Sequence, residues 1–478
     1  MIKTSYMGDI DIEPWEFALI PIYLIIIFLI ASSIKNRKIK QHPEYRYYLL
    51  GLYAKIFGGL AFGLIYIFYY GGGDTVSYYE SGRALVNLFY KNPVDYLRME
   101  FLPVNEDLYD EVLSSETGWV SSWLYGDPRS YMVIRLISPL MILAFRSYFL
   151  TTILVSWVTY EGLWRLYLMF VRYYPHLMSS LAIAVLFMPS TVFWGSGIMK
   201  DPFTLSATGL FVSLVDHVLV RRNVKFRSIL GGLIAAWLLI ALKPYIILVL
   251  FPGTMYWVFN QRIKRIKNAL VKFVLIPVVF AGLGGLSLWV LNSLSGSLGK
   301  FSLDEALNTA TVTSTYLRSE QVGGNNFNIG EFETTWLGAA GKFVPATMAG
   351  LYRPYMWDVA NIVMLFSALE NTFLLLMTIR LLWRTKLVRL GHAIFADPLV
   401  AFSLLFTVCF GFMIGITTSN FGSLVRFKIP MLPFFVSGLY IALKMYSLPP
   451  KSRTRLLMAQ RAAQSGPQAG VGAVHDPT

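Results

Sequence analysis

Runs of about 20 apolar residues, set apart by short clusters of Lys and Arg, recur from residue 15 to residue 445 of this chain. No other feature restricts the fold as strongly. A backbone in lipid has no water to bond with, so each run has to satisfy its own N–H and C=O groups, and that predicts helices that cross a bilayer. The strand-period alternation of a membrane barrel is absent. With 55% hydrophobic and 14% charged residues and a mean hydropathy of +0.55, the chain falls outside the soluble globular enzymes. The expected fold class is all-α, a polytopic integral membrane helical bundle of about eleven spans whose outer loops carry short interfacial helices.

Hydropathy, flanking cations and Tyr or Trp at the edges put the spans at residues 15–34, 48–70, 149–171, 176–195, 203–220, 229–242, 245–259, 269–291, 357–383, 399–416 and 430–445. The two short ones flanking Lys243 and Pro244 read equally as one broken helix. Stretch 131–145 is bracketed closely by Arg135 and Arg146, and reads as re-entrant or interfacial. Five cationic knots (Lys35 to Arg46, Arg221 to Arg227, Arg262 to Lys267, Arg384 to Arg389, Lys451 to Arg455) fall on one side of an eleven-span bundle. The positive-inside rule makes that side cytoplasmic, with the N-terminus outside and the C-terminus inside, in a bacterial inner membrane. The net charge of +14 is then a matter of topology, and nucleic acid is not an expected partner.

Residues 1–449 form one membrane domain with outer loops at 71–130 and 292–355, and 450–478 is expected to be a disordered cytoplasmic tail. A cleavable signal peptide is not expected, because a basic stop-transfer knot follows the first apolar stretch. The first outer loop carries ten acidic residues against four basic ones. Among them Asp107, Asp110 and Glu111 read as a solvated cluster more readily than as metal ligands, so no cofactor is expected. The single cysteine, Cys409, permits no intramolecular disulfide.

Four constellations gather where spans meet the outer face. In Gly71-Gly72-Gly73-Asp74, the glycines end the second span and bring a carboxylate to the water boundary. An amphipathic surface helix carrying Tyr78 and Glu80 follows, and Asp74 or Ser77 also suits its N-cap, with Ser77 and Glu80 spaced as a capping box. In the hairpin Pro189 to Pro202, Lys200 and Asp201 open a helix, where an ammonium and backbone N–H groups suit a phosphate. Before the last span, Thr417 to Pro430 contains Arg426 and Lys428, two cations on the side where positive charge is scarce, and a guanidinium fork suits phosphate oxygens. Lys243, Arg135 and Arg353 bring further cations to the same face.

An outer-loop Asp followed by a surface helix, a Lys-Asp pair opening a span, and an Asn-x-Gly-x-x-x-Arg-x-Lys-x-Pro run before the last span together resemble bacterial membrane glycosyltransferases of the GT-C superfold and related polysaccharide polymerases. The resemblance implies a polyprenyl-phosphate-linked sugar as donor and a glycan or lipid as acceptor. It implies Asp74 as the base and Lys200, Arg426 or Lys428 on the donor phosphate, with Arg135, Lys243 and Arg353 contributing and Tyr78, Glu80, Asp201 and Asn420 in support. The chain departs from the family pattern at Thr75, where a second acidic residue would stand, and in placing the Asp after the second span. Walker, HExxH and G-x-S-x-G signatures are absent. The rival readings are a transporter or flippase of lipid-linked glycans, disfavoured by the few mid-span charges (Glu161, Arg165, Asp216, Glu370), and a non-catalytic envelope scaffold.

Overall fold

The computed structural model describes residues 12–103, 105–265, 282, 326–330, 333, 335–385 and 397–447. The expected span at 269–291, much of the second outer loop and the tail lie outside the described residues. Every extended element among the described residues is helical, and only two isolated bridges, Ser114 with Gly118 and Asn326 with Asn420, pair backbone in strand fashion.

In chain order the helices are α1 (Pro14–Lys38), α2 (Tyr48–Leu64, prolonged by a π-turn to Tyr69), α3 (Asp74–Lys91), α4 (Pro93–Phe101), α5 (Glu106–Val112), α6 (Ser122–Tyr125), α7 (Pro128–Leu143) and α8 (Tyr148–Tyr173). There follow α9 (Met178–Leu186), α10 (Pro189–Phe193), α11 (Lys200–Val215, prolonged to Val220), α12 (Phe226–Leu242) and α13 (Pro244–Arg265). The remainder are α14 (Trp336–Gly341), α15 (Phe343–Tyr352), α16 (Ile362–Arg384), α17 (Pro398–Thr417), α18 (Phe421–Phe427) and α19 (Leu432–Ser447). Among the described residues, five helices are long and apolar enough to cross a bilayer, namely α1, α2 with its flanking turns, α11, α16 and α17, and the number is seven if each of two bent pairs is one span.

The largest departure from the expected spans is at residues 176–195. That stretch breaks into short pieces, because Pro189 cannot continue a helix and pushes Met188 into extended backbone (φ −64°, ψ 126°). Helices α12 and α13 do break at Lys243, as the Lys-Pro pair predicts, Lys243 leaving helical geometry at φ −146°. Stretch 131–145 is helical in α7, which meets α8 at 112°. The corner is made by Phe145 and Arg146 at φ +51° and +65°.

Helix α8 is the hub, buried along most of its length against α2, α7, α9 and α11, whereas α1 buries only Glu16, Ile27 and Ala31 and stays at the rim. Close backbone approach seats α11 on α8. A β-carbon on Gly162 would stand 1.9 Å from the Ser206 carbonyl oxygen, so only glycine fits this crossing. Helices α15 and α17 meet the same way, where a β-carbon on Gly415 would stand 1.9 Å from the Ala346 carbonyl oxygen.

Helices α3 to α6 form a compact unit against α7, pinned to α8 by the Thr75 and Tyr148 hydroxyls at 2.8 Å. Inside it lies Glu100, which accepts a 3.0 Å hydrogen bond from Ser138 Oγ. Burial pushes its carboxyl from the ordinary 4.5 up to about 7, against the pull of the Ser138 hydrogen bond and the Arg135 charge. The folded protein therefore keeps a proton that the unfolded chain releases. The stability that this group contributes is fully present below pH 4.5 and is lost as pH rises through about 7, a loss of roughly 3 kcal/mol. Glu100→Gln is expected to raise the thermal midpoint in detergent at pH 8 and to leave it unchanged at pH 4, and equal midpoints for both proteins at pH 8 would refute the assignment.

Candidate functional site

Three glycines shape the turn out of α2. Gly71, Gly72 and Gly73 have φ of +67°, +139° and +120°, a run of left-handed conformations that side-chain-bearing residues rarely adopt. The Gly72 N–H donates to the Tyr66 carbonyl at 2.9 Å, folding the chain back so that α3 begins at Asp74. The N-cap of α3 is Gly73, and no side chain caps the helix. This corrects the capping expectation for both Asp74 and Ser77. The Asp74 carboxylate is engaged across the bundle instead.

Both terminal nitrogens of Arg426 donate to Asp74 Oδ2 at 3.2 Å. Arg426 Nε lies 3.6 Å from Asp201 Oδ2, and Lys243 Nζ donates to Asp201 Oδ1 at 2.5 Å. The result is an alternating chain, Asp74, Arg426, Asp201, Lys243, running from a half-exposed carboxylate (49%) to an interior one (2%). Two cations this close would repel strongly in a low-dielectric wall, and the Asp201 carboxylate between them offsets that. Aromatic faces line the chain, with Arg426 6.0 Å from the Trp194 ring centroid and Lys243 4.7 Å from that of Phe427. Asp74 Oδ1 has no hydrogen-bond partner among the described residues, so the exposed end presents an oxygen with free lone pairs.

A second thread runs alongside. Lys200 Nζ donates to Asp127 Oδ2 at 3.1 Å, Ser130 Oγ donates to the same oxygen at 2.6 Å, and the Tyr78 phenol neighbours Ser130. Burial holds that phenol above its ordinary pKa, the neighbouring Asp74 and Asp201 carboxylates adding to the rise. Because Lys200 and Asp201 are consecutive in the first turn of α11, the two threads share a helix start. Asp74, Lys200, Asp201, Lys243, Arg426 and Tyr78 are thereby drawn into one region.

The other expected site residues serve elsewhere. Lys428 is fully buried, donating to the Arg353 carbonyl at 3.2 Å and to Asn371 Oδ1. Arg135 ties down the end of α4 by donating to the carbonyls of Met99 and Leu102. Arg353 pairs with Asp358 at 3.8 Å and lies 5.3 Å from the Phe327 ring centroid. None of these three bonds to the Asp74 to Lys243 chain. Asn420 caps α18 by accepting from the Ser423 N–H at 3.1 Å. Glu80 faces Arg83, with burial raising its carboxyl pKa and the Arg83 charge lowering it. Glu111 is tied to Arg98 by two 2.9 Å bonds, and no group of three or more His, Cys, Asp or Glu among the described residues could hold a metal ion.

Sequence reading missed Asp127 as a site member, although Asp-Pro opening a helix is a legible capping signal and Asp127 does accept from the Arg129 N–H at 3.3 Å. It also passed over Lys55, a lysine inside α2 that is 2% exposed and donates to the Gly195 carbonyl. An ionisable residue within a span was signal enough. No protein-family model, no curated protein and no solved structure matches the chain.

Proposed function

We propose that the protein transfers a sugar from a polyprenyl-phosphate-linked donor to a glycan or lipid hydroxyl on the outer face of a bacterial cytoplasmic membrane, in cell-envelope polysaccharide synthesis. In that reaction the acceptor oxygen bonds to the anomeric carbon as the bond from that carbon to the phosphate oxygen breaks. The acceptor proton goes to Asp74, and the polyprenyl phosphate leaves with the electron pair. One observation carries the reading: a half-exposed carboxylate with one free oxygen stands at the mouth of a charge chain whose cations approach it from behind. Lys200, 20% exposed, and Arg426 are the groups to meet the negative charge that grows on the departing phosphate. Lys243 keeps Asp201 in place behind Arg426.

The five cationic knots support an outside N-terminus and an inside C-terminus, which puts Asp74 and the α3 to α6 unit on the outer face. The flippase reading gains from Lys55, but Glu370 and Asp216 each tie one element to another. Glu370 accepts from the Ser190 N–H at 2.7 Å, and Asp216 accepts from Arg172 at 3.0 Å.

The test is reconstitution in liposomes with a radiolabelled polyprenyl-phosphate sugar and membrane glycan as acceptor. Labelled product is expected, with kcat/KM lowered about 10- to 100-fold by Lys200→Gln, the worth of one charged hydrogen bond. Movement of intact donor across the bilayer without consumption would transfer the assignment to a flippase.

A further inference from the structure

We propose that a second site, at the opposite end of α11, binds the phosphate headgroup of an anionic phospholipid. The 17 residues separating Lys200 from His217 put the two ends of this helix about 25 Å apart, close to the thickness of a bilayer core. At the His217 end lies a cleft of about 570 Å³.

Its charge is what points to an anion. Arg37, Lys38, Arg165 and Arg172 all line it, against one lining carboxylate, Glu161. Arg165 pairs with Glu161 at 2.6 Å, and Arg172 reaches the fully buried Asp216 at 3.0 Å. Lys38 rests on the Tyr45 hydroxyl at 3.0 Å, a neutral partner, and Arg37 has no partner among the described residues. Two positive charges therefore remain uncompensated inside a concave wall, where a phosphate would be attracted from both sides.

The apolar parts of the same cleft point to a lipid as the bearer of that phosphate. Trp164, Leu168, Met169 and Leu214 also line it, so the site is partly apolar where a site for a free ion would be polar throughout. The exposed face of α1, with Ile22, Ile26 and Leu29 open to the surroundings, ends about two turns short of Arg37. Acyl chains lying on that face would bring their headgroup to the level of Arg37 and Lys38. Lipid held here fixes the ends of α1, α8 and α11 relative to one another.

Native mass spectrometry of the full chain in detergent, titrated separately with phosphatidylglycerol, phosphatidylcholine and inorganic phosphate, tests this. Retention of phosphatidylglycerol over phosphatidylcholine is expected, weakened about 25-fold by Arg37→Gln with Lys38→Gln, at about fivefold for each cation removed. The control is Arg222→Gln with Lys225→Gln, which removes the same charge from exposed positions nearby that do not line the cleft. It is expected to leave retention within twofold of the wild type. Circular dichroism and elution volume check that both variants are folded. Equal weakening by the two pairs would reduce the effect to diffuse surface charge and overturn the site. Inorganic phosphate competing as strongly as the lipid would overturn the lipid assignment, and no preference for phosphatidylglycerol would overturn both.

Discussion

Asp74→Asn is expected to leave the protein folded and to lower sugar transfer about 100- to 10,000-fold, the usual cost of removing a general base. The substitution separates chemistry from structure because of where the residue sits. Its side chain is 49% exposed, and an amide oxygen can still accept from Arg426, so the structural loss is about 1 kcal/mol or less. Arg426 also keeps its second carboxylate, Asp201, at 3.6 Å, so no buried charge is orphaned. No side-chain cap is lost either, since Gly73 caps α3. The measurement is labelled glycan formed in proteoliposomes at matched protein amounts, beside the thermal midpoint of each protein. Near-normal product from the Asn variant would remove Asp74 from the mechanism.

The largest effect on stability is expected at Asp201, whose replacement by Ala should cost about 3 to 5 kcal/mol, the range for breaking a buried ion pair from one side. Asp201 is 1% exposed and Lys243 6%, so the ammonium would be left in the interior without its 2.5 Å partner. The neighbouring Arg426 would lose its inner carboxylate at the same time. Adding Lys243→Met to Asp201→Ala removes the orphaned charge and is expected to restore more than half of the lost stability, a coupling that thermal unfolding of the two single variants and the double variant reads directly. A single Asp201→Ala protein that melts with the wild type would show that this pair does not organise the bundle.

Much of the fold was legible because membrane insertion is governed by local rules. The backbone of α1, α16 or α17 has to be helical in lipid whatever its neighbours are. The exit of α2 was readable from three consecutive glycines, and the break between α12 and α13 from Lys243-Pro244. The stretch 176–195 was misread because summed hydropathy weighs composition, whereas a single Pro189 decides continuity. The close approaches at Gly162 and at Gly415 were also within reach, since small residues at helical spacing mark such crossings.

The candidate site was legible as a set of residue types and illegible as a network. Arg426 and Lys428 read as a pair in sequence, yet residues two apart on a helix face away from each other. Arg426 accordingly turns to Asp74, while Lys428 is buried against Asn371.

By itself the sequence determined that this is an α-helical membrane protein, that the chain breaks after α2 and between α12 and α13, and that cations and carboxylates collect near the starts of α3, α11 and α19, because each of these follows from the few residues on either side. Only the tertiary structure decided which charge meets which. Asp74 and Arg426 are 352 residues apart, and an ion pair at that separation comes from the crossing of α3, α11 and α18, with its strength set by how much water that crossing excludes.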